Sequence, residues 1–148
     1  MFNTILVPTD GSPLSDKAIG TAVEFAREHG SKLIMMSVAE PYMFSALDNS
    51  YNSADAALYE EKTQQKAMQH IEKAIDAAQA IHVSCDTYVA LSFSPYEEII
   101  KAANKFKCDV IFMASHGRKG LNKLFLGSET QKVLAHSSIP VLVLREEK

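Results

Sequence analysis

A regular alternation of short, densely apolar runs with longer segments of helical periodicity constrains this chain more than any other feature. Five runs stand out: Thr4 to Pro8, Leu33 to Val38, Thr87 to Leu91, Val110 to Ala114 and Val141 to Leu144. The second, fourth and fifth are nearly continuous in apolar character, which suits strands buried on both faces of a parallel sheet. Ala18, Ile19, Ala22, Val23 and Ala26 share one face of a first helix, and Gly30 supplies its stop. A second helix is predicted from about Ala54 to Ala80, with Ala67, Ile71, Ala74, Ile75 and Ala78 on one face. A third opens at Ser94-Pro95-Tyr96-Glu97. There Ser94 is expected to cap, Pro95 to take the first helical position and Glu97 to complete a capping box. Ile99, Ile100, Ala103 and Phe106 supply its buried face. A fourth opens at Ser128-Glu129-Thr130-Gln131, a second capping pattern of the same kind. This alternation predicts an α/β fold, an open five-stranded parallel sheet with helices on both faces. Right-handed crossovers narrow the topology, and the need for helices to cover both faces favours the strand order 3-2-1-4-5. With no repeat and no composition break, a single domain over residues 1–148 is expected. The irregular insertion Glu40 to Ser53, with Tyr42, Phe44 and Tyr51, reads as a connection rather than a lid.

Composition removes several function classes. A formal net charge of -3 argues against general nucleic-acid binding, which calls for a strongly basic face. No apolar run approaches the ~20 residues that span a bilayer. Met1-Phe2-Asn3 leads into a strand-like segment without a charged leader, so a cytoplasmic location is expected. Cys85 and Cys108 lack metal or redox spacing and read as small buried residues of a reduced protein.

In the predicted order the sheet reverses direction between strands one and four, and ligands bind at the strand ends beside such a reversal. The segments there are Thr9-Asp10-Gly11-Ser12 and Ser115-His116-Gly117. After Ala114-Ser115-His116-Gly117 come nine residues, then Gly127-Ser128 and a helix start. Small residues at both ends of a loop, followed by the exposed N–H groups of a helix N-terminus, suit a phosphate. Arg118, Lys119 and Lys123 add three positive charges. The loop is neither a Walker A sequence nor a dinucleotide fingerprint. Asp10 can accept hydrogen bonds from sugar hydroxyls; it can equally shape an Asp-Gly turn or cap the first helix. Pro8 sets the exit angle of its strand. His116 lacks a recognisable nucleophile and orienting partner, so no catalytic residue is assigned. His29, His70, His82 and His136 show no metal-ligand spacing and read as surface or capping residues; no metal site is expected.

Val7-Pro8-Thr9-Asp10-Gly11-Ser12, Ser115-His116-Gly117-Arg118, Leu126-Gly127-Ser128 and the closing Pro140-Val141-Leu142-Val143 together resemble the universal stress protein family. The resemblance covers essentially the whole chain. It implies a Rossmann-like sheet of the adenine-nucleotide-binding type and a homodimer, paired through the last strand, Val141 to Leu144. Family members that bind ATP carry Gly-x-x-Gly, nine residues, then Gly-Ser or Gly-Thr. Gly117, Gly127 and Ser128 match; Ala114 replaces the first glycine. By this resemblance Asp10 meets the ribose, and Val38 offers backbone bonds to adenine. Met113 and Ala114 line the ribose side. Gly117, Gly127, Ser128, Glu129 and Thr130 hold the phosphates through backbone and hydroxyl groups, with Mg²⁺ as the default companion ion. Pro8, Thr9, His116 and Arg118 complete the expected lining.

Two departures bear on this. Ala114 adds a methyl, and Glu129 puts a carboxylate where phosphates are expected. Phe93 also stands where the family often has Gly-x-Pro. The reading is an ATP-binding stress-response regulator, acting through nucleotide-dependent conformation or binding of a protein partner that the sequence does not name. The alternatives are an interaction protein of the same fold without nucleotide binding and, lesser, a slow ATP hydrolase.

Overall fold

A computed structural model describes residues 1–45, 47, 52–117 and 126–146. The expectations for Tyr51, Arg118, Lys119 and Lys123 lie outside the described residues. In chain order the elements are β1 (Thr4–Pro8), α1 (Pro13–His29), β2 (Lys32–Ala39), α2 (Ser53–Ala80), β3 (Cys85–Leu91), α3 (Pro95–Lys105), β4 (Val110–Ala114), α4 (Ser128–His136) and β5 (Val141–Leu144). All strand pairs are parallel, and the order is β3-β2-β1-β4-β5, as the alternation predicts. Among the described residues no helix is long and apolar enough to cross a membrane.

Side chains alternate across the pleat, so successive strand residues feed two separate cores. Ile5, Val7, Leu33, Met35, Val110 and Phe112 pack against α1 and α2, where they meet Ile19, Val23 and Ile71. Leu6, Ile34, Met36, Ile111 and Met113 pack on the other face against α3 and α4, through Ile99, Ala102 and Val133. Burial on both faces is why these strands read as unbroken apolar runs. Phe112 is 1% exposed and meets Phe25 edge-on, with ring centroids 5.5 Å apart.

Helix ends follow the sequence in some places and depart from it in others. Ser12 caps α1, its hydroxyl accepting from the Ser15 N–H at 3.2 Å, and Gly30 closes the helix at φ 70°. Ser94 stands at the N-cap of α3 without making a side-chain capping bond, so the expected capping box does not form. At α4 the N-cap is Gly127, with Ser128 already inside the helix, so the second expected capping pattern also fails. The first departure involves Glu129.

Candidate functional site

At the carboxyl ends of β1, β2 and β4 lies a cavity of about 620 Å³. It sits at the sheet reversal, since β1 leads into β2 on one side and neighbours β4 on the other. Pro8, Thr9, Asp10, Val38, Met113, Ala114, His116, Gly117, Gly127, Ser128, Glu129 and Thr130 all line it. Thus every candidate residue except Arg118, which lies outside the described residues, is brought to one place.

The roles are not all those expected. Thr9 is buried, with its hydroxyl 3.0 Å from the Ser15 hydroxyl and accepting from the Gly11 N–H at 3.1 Å. It builds the turn. Thr130 is also buried, and its hydroxyl donates to the Ala114 carbonyl at 3.0 Å. That bond clamps α4 onto the end of β4 and leaves the Thr130 backbone N–H as the group it turns to the cavity side of the helix start. Asp10 has two functions at once. Its Oδ1 accepts from the Ser12 N–H at 3.0 Å, forming the Asx turn that starts α1. Its Oδ2 reaches across to Gly117, where a Cβ would collide with it. Glycine at 117 is therefore what lets the two strand-end loops close on each other.

Gly11 is constrained twice. It adopts φ +75°, and a Cβ there would lie 2.5 Å from the His70 ring. Gly11→Ala should cost roughly 1–3 kcal/mol from the left-handed conformation alone, read as a lowered midpoint in urea. An unchanged midpoint would show that the turn relaxes without penalty.

Val38 is informative through its backbone. Lys32 N–H donates to Asn3 O, and Thr9 N–H donates to Met36 O, so even-numbered residues of β2 address β1. Leu33 N–H donates to Ser84 O, and Ser92 N–H donates to Ala39 O, so odd-numbered residues address β3. Val38 is even-numbered, and the β1 register ends at Pro8 opposite Met36. Its N–H and C=O thus face the flank where the neighbouring strand has stopped. Ala114 belongs to β4 in register with Leu144. Among the described non-glycine residues only His82 and Lys107 have positive φ, so the backbone at 114 does not demand glycine.

At the far wall the first turn of α4 faces the cavity, and its N-cap, Gly127, has no side chain to cap it. Gly127 packs tightly here: a Cβ would stand 3.1 Å from His116 Cα and 3.3 Å from Ser115 O. Its N–H donates to that same carbonyl at 2.7 Å. The Glu129 carboxylate turns toward α3, where Oε2 accepts the Tyr96 N–H at 2.9 Å. This supplies the cap that Ser94 does not.

Sequence reasoning missed one wall. Tyr59, Thr63, Lys66 and His70 of α2 also line the cavity. His70 is therefore a cavity residue, correcting its assignment to the surface or a cap. A signal was present: Tyr59, Thr63, Lys66 and His70 recur at helical spacing in a row beside the stripe Ala67, Ile71, Ala74, Ala78. A 28-residue helix runs ~42 Å, against ~26 Å for the eight-residue β2. The helix overhangs the sheet edge, and its inner face turns polar where it does.

The site carries little reactive chemistry. Ser115 Oγ lies 3.2 Å from His116 Nδ1, but Ser115 is only 2% exposed, which leaves it no approach to a substrate. Both cysteines are free. Burial pushes the Cys108 thiol up to about 11, with Asp109 adding to the shift, and burial beside Asp86 raises Cys85 as well. Neither becomes a thiolate nucleophile. Among the described residues no group of three or more His, Cys, Asp or Glu side chains is placed to hold a metal ion.

Comparison with known proteins gives this geometry a context. A universal stress protein of Thermus aquaticus is 32% identical over 146 residues, covering 98% of this chain and all of the relative. Among solved structures, MJ0577 of Methanocaldococcus jannaschii superposes with a TM-score of 0.84 at 25% identity, covering 100% of this chain and 99% of that one. Two others share the fold. One is a universal stress protein in complex with cAMP (TM-score 0.72, 23% identity, 99% of each chain). The other is an Arabidopsis thaliana family member with AMP bound (TM-score 0.67, 15% identity, 98% of this chain and 92% of that one). The sequence profile of the universal stress protein family matches residues 1–145. With nearly the whole chain inside that match, the protein belongs to the universal stress protein family.

Proposed function

We propose that the cavity binds an adenine nucleotide, ATP, and that the protein regulates a stress response through nucleotide-dependent conformation or partner binding. The observation that carries this reading is a convergence. The Asp10 carboxylate, the open backbone edge of Val38 and the N-terminus of α4 meet around one cavity. Its volume falls within the roughly 300–1,000 Å³ usual for small-molecule sites. Val38 offers one donor and one acceptor side by side, which complements the N1 and amino edge of adenine. Asp10, on the cavity wall, would accept from ribose hydroxyls. The α4 N-terminus suits phosphate oxygens. Mg²⁺ would enter on the phosphates, because the described residues offer no cage of their own. The family members with cAMP and AMP bound support the adenine class. In this reading the protein is a cytoplasmic homodimer paired through β5. Leu142 is 39% exposed on that edge strand, an apolar edge that pairing would cover.

The test is calorimetric titration of Mg-ATP into protein stripped of nucleotide, with GTP as control. Micromolar or tighter binding selective for ATP is expected. Asp10→Ala should weaken it about 10- to 100-fold, the loss of a hydrogen bond to a charged acceptor. Absence of both heat and thermal stabilisation at millimolar ATP would leave an interaction protein of the same fold. Ala114→Gly would then be the first reversion to try.

A further inference from the structure

We propose that Glu129 sets how strongly the site responds to phosphate charge, narrowing its preference for ATP over AMP. This rests on the adenine-nucleotide reading. Glu129 lies in the first turn of α4 and lines the cavity beside Gly127 and Ser128. A surface carboxylate in that position would swing into solvent when a phosphate arrived. This one is held. Oε2 accepts the Tyr96 N–H at 2.9 Å, and Oε1 accepts from Lys132 Nζ at 3.2 Å. Lys132 is in turn drawn over the Tyr96 ring, 5.5 Å from its centroid. The carboxylate therefore sits between two helix N-termini, its own and that of α3. It is a built-in anion that partly satisfies the positive end of α4 before any ligand arrives. Lys132, half exposed, offsets it only in part. The other charged or titratable groups on the described wall are Asp10, Glu40, Tyr59, Lys66, His70 and His116. Of these the first two add to the negative side. Each further phosphate charge thus enters against a fixed opposing charge.

The experiment measures affinities for adenosine, AMP and ATP in EDTA, where phosphate charge is not masked, and again with Mg²⁺. It compares the wild-type protein with Glu129→Gln, which keeps an oxygen acceptor for the Tyr96 N–H and removes the charge. In EDTA the variant should bind ATP about five- to tenfold more tightly, as for removing a like charge ~8 Å away at an effective dielectric of ~40. AMP should gain less and adenosine should stay within twofold. Mg²⁺ should shrink the gain. Glu129→Ala should raise the ATP-to-AMP ratio as well but lower the Tm, since it also uncaps α3. That separates the charge role from the structural one. ATP binding seen only in Glu129→Gln would support the inference most strongly. An unchanged ATP-to-AMP ratio in protein that binds adenosine would overturn the inference and leave the nucleotide reading standing. No binding of any of the three by either protein would overturn both.

Discussion

Gly127→Val should abolish ATP binding in a protein that remains folded. A single Cβ at this position already stands 3.1 Å from His116 Cα and 3.3 Å from Ser115 O, both backbone atoms that cannot turn aside. Valine adds two methyl groups beyond that. Relief requires the start of α4 to move away from the end of β4, stretching the 2.7 Å bond from Gly127 N–H to Ser115 O. The N–H groups proposed to meet the phosphates move with it. A misplacement of ~1 Å is enough to cost about 100-fold at a site that depends on geometry. The sheet stays intact, because Val133 still anchors α4 to its core from below. Titration with Mg-ATP, paired with a thermal melt, checks this. Retained affinity in a folded variant would remove the α4 N-terminus from the ligand site.

The largest effect on stability is expected from Phe112→Ala. Phe112 lies mid-strand in β4, 1% exposed, between the sheet and α1. Truncation leaves a cavity beside Phe25, in the layer that Phe2 also packs against. The cost should be about 3–5 kcal/mol, and the Tm should fall by roughly 6–20 °C at ~2–4 °C per kcal/mol for a domain of this size. Urea melts should show a shifted midpoint and an unchanged slope. A loss below ~1 kcal/mol would mean that this core collapses around the gap. Nucleotide affinity well below the Tm should change little, since Phe112 does not line the cavity.

The two variants separate what could be read along the chain from what could not. Phe112 was legible: it sits in a continuous apolar run, and such a run in an alternating α/β pattern has both faces covered. Gly127 was legible as part of a motif, but its reason was not. Its φ of -62° is open to any residue, so a demand for unusual backbone conformation does not explain it. The close approach of Ser115 and His116, just past the end of β4, does. Glu129 shows the same division. Its place in the first turn of a helix follows from spacing, whereas its Tyr96 partner is 33 residues away. Ser94 was a sound local candidate for the α3 cap, but a charged acceptor from another helix took the position.

The wall formed by α2 makes the point in reverse. His70, on a polar stretch of α2, reads from the sequence as a surface or capping residue, since it shows no metal-ligand spacing. Only the lengths of helix and sheet, set side by side, place that polar stretch over the strand ends. By itself the sequence determined what depends on neighbours along the chain. That covers the elements, the two-sided burial of the strands, the strand order through crossover handedness and the need to cover both faces, and the reversal where a ligand site belongs. The tertiary structure decided the chemistry within the site. It showed which hydroxyls are consumed by the scaffold, which carboxylate faces a glycine and which turns to cap another helix. Those outcomes depend on distances of 3 Å between atoms far apart in sequence, and no local propensity encodes them.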